Sequence, residues 1–351
     1  MNVAAPVLNW IDGEWVDSPA HRDSVDPATG AVIGRYADGG EPEARAAIDA
    51  ALRAFRDTPW KRDAALRARV LDELAAAFER HADALIELLA LENGKIKPEA
   101  RFEVSMKLRY YAALTRAETG RSGTPQPDVV SLVLREPMGV AGIIVPWNSP
   151  VVLMVRSLAP ALAAGTTTAI KMPGQTAQTN AFVSRILSEA PSLPRGVINL
   201  FSESGADGAK TLIDSPDVPA ISFTGSTATG RAISAVGAQR LKRFGLELGG
   251  KTPHLVFDDT DLDAALPVIE KSLTVFAGQF CMTGSRLLVQ RGIADAVRTR
   301  LAHRLATVRV GPAADPLSDM GPLIDKPNVE RVDRAVEEAI AAGAKVVVRG
   351  G

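Results

Sequence analysis

Ala220-Ile221-Ser222-Phe223-Thr224-Gly225-Ser226-Thr227-Ala228-Thr229-Gly230-Arg231 reads as a short apolar strand, a glycine turn and the start of a helix. Such a turn can place a pyrophosphate at the helix N-terminus. It is not Gly-x-Gly-x-x-Gly, because Thr227 follows Ser226, and not a P-loop, because Arg231-Ala232 stands where Lys-Ser/Thr is required. Taken alone, a plain strand-to-helix turn reads equally well. The flanking sequence supplies the fold. Residues 169–171, 197–200 and 243–246 are also strand-like, and helices are expected near 150–163, 177–189, 206–213 and 227–236. This alternation predicts a parallel sheet covered on both faces.

Working outward, 129–135 and 140–145 read as strands. Residues 118–137, with Gly120, Gly123, Pro125 and Pro127, read as an arm or hairpin leaving the main body. Residues 41–118 read as alanine-rich helices, in which Val70, Leu71, Leu74, Phe78, Leu85, Leu88 and Leu89 recur at helical spacing. Asn93-Gly94 stops that run. Residues 7–36 read as short strands turning at Asp12-Gly13, Asp26-Pro27 and Thr29-Gly30. A second α/β block begins near 250, with strands at 252–257 and 286–290, helices at 261–276 and 293–306, and a last strand-like run at Val346-Val347-Val348. Two domains are expected, 1–248 (carrying the arm) and 249–351.

Composition narrows the function classes. The 351 residues are 46% hydrophobic and 23% charged, as in a globular protein with a substantial core. Lys plus Arg is 40 and Asp plus Glu is 41, a balance that argues against nucleic-acid binding. One cysteine rules out an internal disulfide and a multi-cysteine zinc site, and it predicts a reducing, cytoplasmic location. No signal peptide is read in residues 1–15, and no run reaches the length of a membrane span. Asp259, Asp261, Asp263 and Glu270 imitate a calcium loop, but Ala264 replaces its central glycine; Thr260 or Asp261 is read as a helix cap instead. The four histidines form no ligand-spaced pair, so no metal is expected.

Four side chains can carry chemistry. Cys281, in Gly278-Gln279-Phe280-Cys281-Met282-Thr283-Gly284-Ser285-Arg286, is surrounded by small residues that admit a substrate, although lone cysteines are commonly small core residues. Glu247, between Leu246 and Leu248 and ahead of Gly249-Gly250-Lys251, reads as a general base if burial raises its pKa, or as a salt-bridge partner of Lys242, Arg243 or Lys251. Asn148, after Pro146-Trp147, offers an amide to an oxyanion, or caps the helix entered at Ser149-Pro150. Lys171, at a strand end before Met172-Pro173-Gly174, stands where nucleotides bind in open α/β sheets, or is an ordinary solvated lysine.

Taken together these segments resemble the aldehyde dehydrogenase superfamily nearly end to end. The likeness runs through Trp10-Ile11-Asp12-Gly13-Glu14-Trp15, Arg135-Glu136-Pro137-Met138-Gly139-Val140, Pro146-Trp147-Asn148, the Lys171 strand, Phe223-Thr224-Gly225-Ser226, Glu247-Leu248-Gly249-Gly250-Lys251 and Gly278-Gln279-Phe280-Cys281. The resemblance implies a Rossmann-like nucleotide-binding domain and an α/β catalytic domain with a protruding β-hairpin arm. It implies oxidation of an aldehyde to a carboxylic acid with hydride transfer to NAD or NADP. By the same resemblance Cys281 is the nucleophile, Asn148 and the Cys281 N–H hold the oxyanion, and Glu247 activates water against the thioester. Ile144, Pro146, Trp147, Asn148, Lys171, Gly205, Phe223, Thr224, Gly225, Ser226, Thr229 and Leu248 would border the cofactor.

Two departures bear on these expectations. Family members that prefer NAD often carry a glutamate where Gly174 stands, so NADP tolerance is expected. Family members also continue past this end with a Glu-x-Phe-Gly-Pro element and a final strand that pairs with a neighbour's arm. That predicts an incomplete second domain, exposed sheet edges and weak or absent turnover. Self-association is expected of the full-length form. A non-catalytic protein that keeps the nucleotide site as a binding or assembly partner is the competing reading; a member that passes its acyl group to coenzyme A is a third, opposed by Glu247.

Overall fold

Val140–Ile144, Thr167–Pro173 and Ile198–Glu203 are buried almost throughout, the pattern of parallel strands covered on both faces. The computed structural model describes residues 5–104, 107–117 and 119–349. Glu118, where the expected arm begins, and residues 1–4, 350 and 351 of the two expected domains lie outside them.

In chain order the elements are β1 (Asn9–Ile11), β2 (Glu14–Val16), β3 (Ala20–Val25), β4 (Val32–Asp38), α1 (Glu41–Asp57), α2 (Ala64–Asn93), α3 (Lys97–Val104), α4 (Leu108–Ala117), β5 (Arg121–Gln126), β6 (Val129–Val133), β7 (Val140–Ile144) and α5 (Pro150–Ala163). They continue with β8 (Thr167–Pro173), α6 (Ala177–Ser188), β9 (Ile198–Glu203), α7 (Asp207–Asp214), β10 (Ala220–Gly225), α8 (Thr227–Ala238), β11 (Arg243–Leu248), β12 (Pro253–Val256), α9 (Leu262–Thr274), β13 (Arg286–Val289), α10 (Ala294–Leu305) and α11 (Lys326–Ala341). Two compact units arise. One comprises Met1–Ser24, Gly34–Leu85 and Glu103–Glu247; the other comprises Val25–Ile33, Ile86–Phe102 and Leu248–Gly351.

The first unit is built on a sheet of order β11-β10-β7-β8-β9-β1-β2. The β10–β7, β7–β8 and β8–β9 pairs are parallel, and β1 is antiparallel to both β9 and β2. Ile144 lies opposite Phe223 on one side and Lys171 on the other, so the carboxyl ends of these strands finish level. Helices α1, α7 and α8 pack together on one face, α4, α5 and α6 on the other. Chain order runs from β7 outward through β8 to β9, then returns to place β10 on the other side of β7. The strand order therefore reverses at β7/β10, where open α/β sheets bind their ligands. Lys171 does not end its strand as the sequence predicts; β8 continues to Pro173, because Met172 and Pro173 still face partners on β9.

The arm is the antiparallel pair β5–β6 (Arg121 opposite Val133), exposed along its whole length. With the residue after it, β6 leaves Val130, Leu132 and Leu134 at 72%, 67% and 74% exposure.

In the second unit β12 and β13 pair in parallel, and Val256, Leu266, Ile269, Val297 and Leu301 form the core with α9 and α10. Asp261 caps α9, its side chain accepting the N–H groups of Asp263 and Ala264. Helix α2 ends at Asn93 because Gly94 takes φ +81°, a left-handed conformation that costs a residue with a Cβ. Two expectations fail. The helix expected over 261–276 stops at Thr274, since Phe276 and Ala277 adopt φ of 52° and 54°. The run Val346-Val347-Val348 is not a strand: no described residue pairs with it, and Val346 and Val347 lie exposed.

Candidate active site and nucleotide crevice

The lips of the β7/β10 reversal carry the expected nucleotide residues. Ile144 closes β7, with Pro146, Trp147 and Asn148 after it, half-buried. Phe223, Thr224 and Gly225 close β10, and Ser226 caps α8: its Oγ accepts the Thr229 N–H at 3.1 Å and lies 2.9 Å from the Thr229 hydroxyl. A first helical turn has N–H groups without intrahelical acceptors, so this end of α8 suits a phosphate. Gly205 lies in the bend after β9, and Leu248 is the last residue of β11.

Lys171 on β8 is half-buried, and desolvation lowers its pKa below that of free lysine, opposed by the carboxylates of Glu203 and Asp38. Both acids have other duties. Glu203 accepts the Gly208 and Ala209 N–H groups at 2.7 and 3.2 Å, capping α7. Asp38 accepts the Ser204 N–H and hydroxyl at 2.7 and 2.6 Å and pairs with Arg22 at 2.5 Å. Next to this strand, a Cβ on Gly174 would stand 2.5 Å from the Tyr36 hydroxyl and 3.0 Å from the Ser204 backbone. A carboxylate side chain has no room there without displacing Tyr36.

Glu247 corrects its sequence reading in two ways. Strand β11 alternates, so Leu246 and Leu248 turn one way and Glu247 the other, and its side chain is 62% exposed rather than buried between leucines. Its ion-pair partner is not Lys242, Arg243 or Lys251 but Arg156 on α5, at 3.7 Å. The Arg156 guanidinium also donates to the Thr224 hydroxyl at 3.1 Å, which ties α5 to the β10 lip. Lys242 instead donates to the carbonyls of Ser215 and Val218.

Asn148 is not the helix cap that the sequence allows. The cap position is Ser149, which makes no side-chain capping bond; the fully buried Glu103 accepts the Val151 and Val152 N–H groups at 2.9 and 3.4 Å instead. Nothing local in the sequence announces Glu103, which comes from α3. Removing it as Glu103→Ala leaves those N–H groups without their acceptor, at a cost of about 1–3 kcal/mol. Urea unfolding is expected to show that loss, and Glu103→Gln, which keeps an acceptor, most of the stability.

In the second unit Cys281 is exposed and free, in a turn where Thr283 donates its N–H and hydroxyl to the Phe280 carbonyl at 3.1 and 2.7 Å. The approach to it is unusual. Phe276, Ala277 and Gly278 take φ of 52°, 54° and 72° in succession. The first two carry side chains, for which a left-handed conformation costs about 1–2 kcal/mol each. Gln279 spans this turn: its N–H and side-chain amide donate to the Phe276 carbonyl, and its Oε1 accepts the Ile324 N–H at 3.0 Å.

Comparison with known proteins agrees on one family. The profile of the aldehyde dehydrogenase family matches residues 15–351. Betaine aldehyde dehydrogenase of Bacillus subtilis is 35% identical over 348 residues, 97% of this chain and 71% of the relative. Human mitochondrial aldehyde dehydrogenase is 35% identical over 351 residues, 97% of this chain and 68% of the relative. Among solved structures, an aldehyde dehydrogenase from Bacillus cereus in complex with NAD+ superposes with a TM-score of 0.94 at 32% identity, covering 99% of this chain and 72% of that one.

Proposed function

The chain belongs to the aldehyde dehydrogenase family, an NAD(P)-dependent oxidoreductase family, and from that premise we propose the roles by which its residues oxidise an aldehyde to a carboxylic acid. The Cys281 sulfur adds to the aldehyde carbon. The Asn148 amide and the Cys281 N–H donate to the oxygen that gains charge. NAD(P)+, when bound, would supply the acceptor for the hydride that leaves that carbon. The acyl group then remains on Cys281 as a thioester. Glu247 removes a proton from water, which attacks the thioester carbonyl; the acid leaves and the thiol is restored. Arg156, 3.7 Å away, is the ion-pair partner of the Glu247 carboxylate.

The supporting observation is the strand reversal at β7/β10, whose lips carry Pro146-Trp147-Asn148 and Thr224-Gly225-Ser226. The residues present fit the dinucleotide. The α8 N-terminus and Ser226 suit its pyrophosphate, and Lys171 suits the adenosine ribose. Domain 1–248 would hold the nucleotide, and 249–351 would supply the nucleophile. The exposed apolar arm supports self-association, and the single free thiol supports a reducing, cytoplasmic setting.

The crevice also bears on cofactor choice. Gly174 brings no carboxylate toward the ribose, while Asp38 and Glu203 are engaged by neighbouring donors. NADP is therefore expected to support turnover within about tenfold of NAD in kcat/KM, about 1.4 kcal/mol. Initial rates of reduced-nicotinamide formation with a panel of aldehydes test both the activity and this ratio. Strict NAD use would overturn the cofactor reading alone, while no aldehyde-dependent reduction with either cofactor would favour the non-catalytic reading, in which the chain keeps only the nucleotide site.

A further inference from the structure

We propose that Glu99 is a positioning residue for Cys281, and that its carboxylate holds the left-handed turn from which the cysteine loop departs. This rests on the reading of Cys281 as nucleophile. Glu99 projects from α3 into the second unit's interior, with its side chain 5% exposed. Its Oε1 accepts the Phe276 N–H at 3.2 Å and the Lys271 ammonium at 3.1 Å. Its Oε2 is buried and makes no hydrogen bond. A half-satisfied buried carboxylate is a cost that calls for a reason, and strained backbone persists only where its surroundings over-determine it.

Here the surroundings fix Phe276 on three sides. Glu99 holds its N–H, and Gln279 holds its carbonyl from two donors. Its ring lies beneath the Lys95 ammonium, 4.1 Å from the centroid, and meets the edge of Phe280 at 5.0 Å. Phe280 is the residue before Cys281, so the placement of Phe276 is passed to the nucleophile through one ring contact and one side chain. Relaxation of the turn would release both. Sub-ångström misplacement of a reacting group is costly in rate even when substrate binding is unchanged.

The competing account is that Glu99 merely pairs with Lys271 to dock α3 on α9. Two substitutions in the whole protein separate them. Glu99→Asp keeps the charge but is one methylene too short for the Phe276 N–H. Glu99→Gln keeps the reach and an acceptor oxygen but loses the charge. Two readouts are taken: kcat and KM for aldehyde, and the rate of Cys281 alkylation by iodoacetamide, to which no other thiol contributes. Glu99→Gln is expected to stay within about threefold on both rates. Glu99→Asp is expected to lower kcat by about tenfold or more with aldehyde KM nearly unchanged, to slow alkylation, and to be rescued by Ala277→Gly, which removes the left-handed penalty at that position. Lys271→Gln, which spares the turn, is expected to keep kcat within about threefold. The reverse order of Asp and Gln, failure of Ala277→Gly to rescue, or a large kcat loss in Lys271→Gln overturns the proposal. Alkylation reports the loop whether or not Cys281 is the nucleophile, so the two readings fail separately.

Discussion

Cys281→Ala is expected to abolish steady-state formation of reduced nicotinamide, by on the order of a thousandfold or more. The substitution removes one sulfur from an exposed turn, and the chain has no other thiol to substitute for it. Surface changes of this kind alter stability by about 0.5 kcal/mol or less, so unfolding is not an available explanation for lost turnover. The nucleotide residues at the β7/β10 lips belong to a different unit and keep their surroundings. NAD(P) binding, followed by quenching of protein fluorescence, should therefore persist while turnover disappears. The unaltered protein should incorporate one alkyl group from iodoacetamide and lose activity in proportion; the variant should incorporate none. Turnover at the unaltered rate would remove the thiol from the mechanism and with it the covalent route.

Sequence pattern revealed what is local. Strands β7, β8 and β10 were readable because proline or glycine stands at or just after the end of each, and α5 spans 150–163 as expected. The order of Asn148, Lys171, Gly225, Glu247 and Cys281 was readable because each lies close to a proline or glycine that interrupts the chain. Unread were the contacts made by chain segments far apart. Glu103 reaches α5 from α3, Glu203 caps a helix whose first turn it only precedes, and Arg156 rather than any neighbour on β11 pairs with Glu247. Val25–Ile33 and Ile86–Phe102 join the second unit with no mark in their own composition. The turn at Phe276-Ala277 was hidden for a different reason. Neither residue favours a left-handed conformation, so local propensity continued the helix, and tertiary contacts to Glu99 and Lys95 overrode it.

Glu247→Gln is expected to split the reaction at the thioester. The amide matches the carboxylate in shape but cannot take a proton from water, so hydrolysis should slow by about 10²–10⁴-fold while addition of Cys281 to the aldehyde and departure of the hydride proceed. Mixing enzyme, cofactor and aldehyde should then give a burst of up to one reduced nicotinamide per chain and a slow steady state, and intact-mass measurement should find the acyl adduct on Cys281. Loss of the ion pair to Arg156 does not confound this. At 3.7 Å, with side chains 62% and 40% exposed, the pair contributes about 0–1 kcal/mol, and stability should scarcely move. Hydroxylamine, which attacks thioesters without a base, should restore part of the turnover. An exogenous thiol separates the remaining route: if coenzyme A raises turnover in the unaltered protein, acyl transfer and not hydrolysis is the physiological second half. Two outcomes would remove Glu247 from the hydrolytic role. One is an unchanged steady state. The other is loss of the burst itself, which would place the carboxylate in the first half-reaction, as the group that takes the proton from the Cys281 thiol.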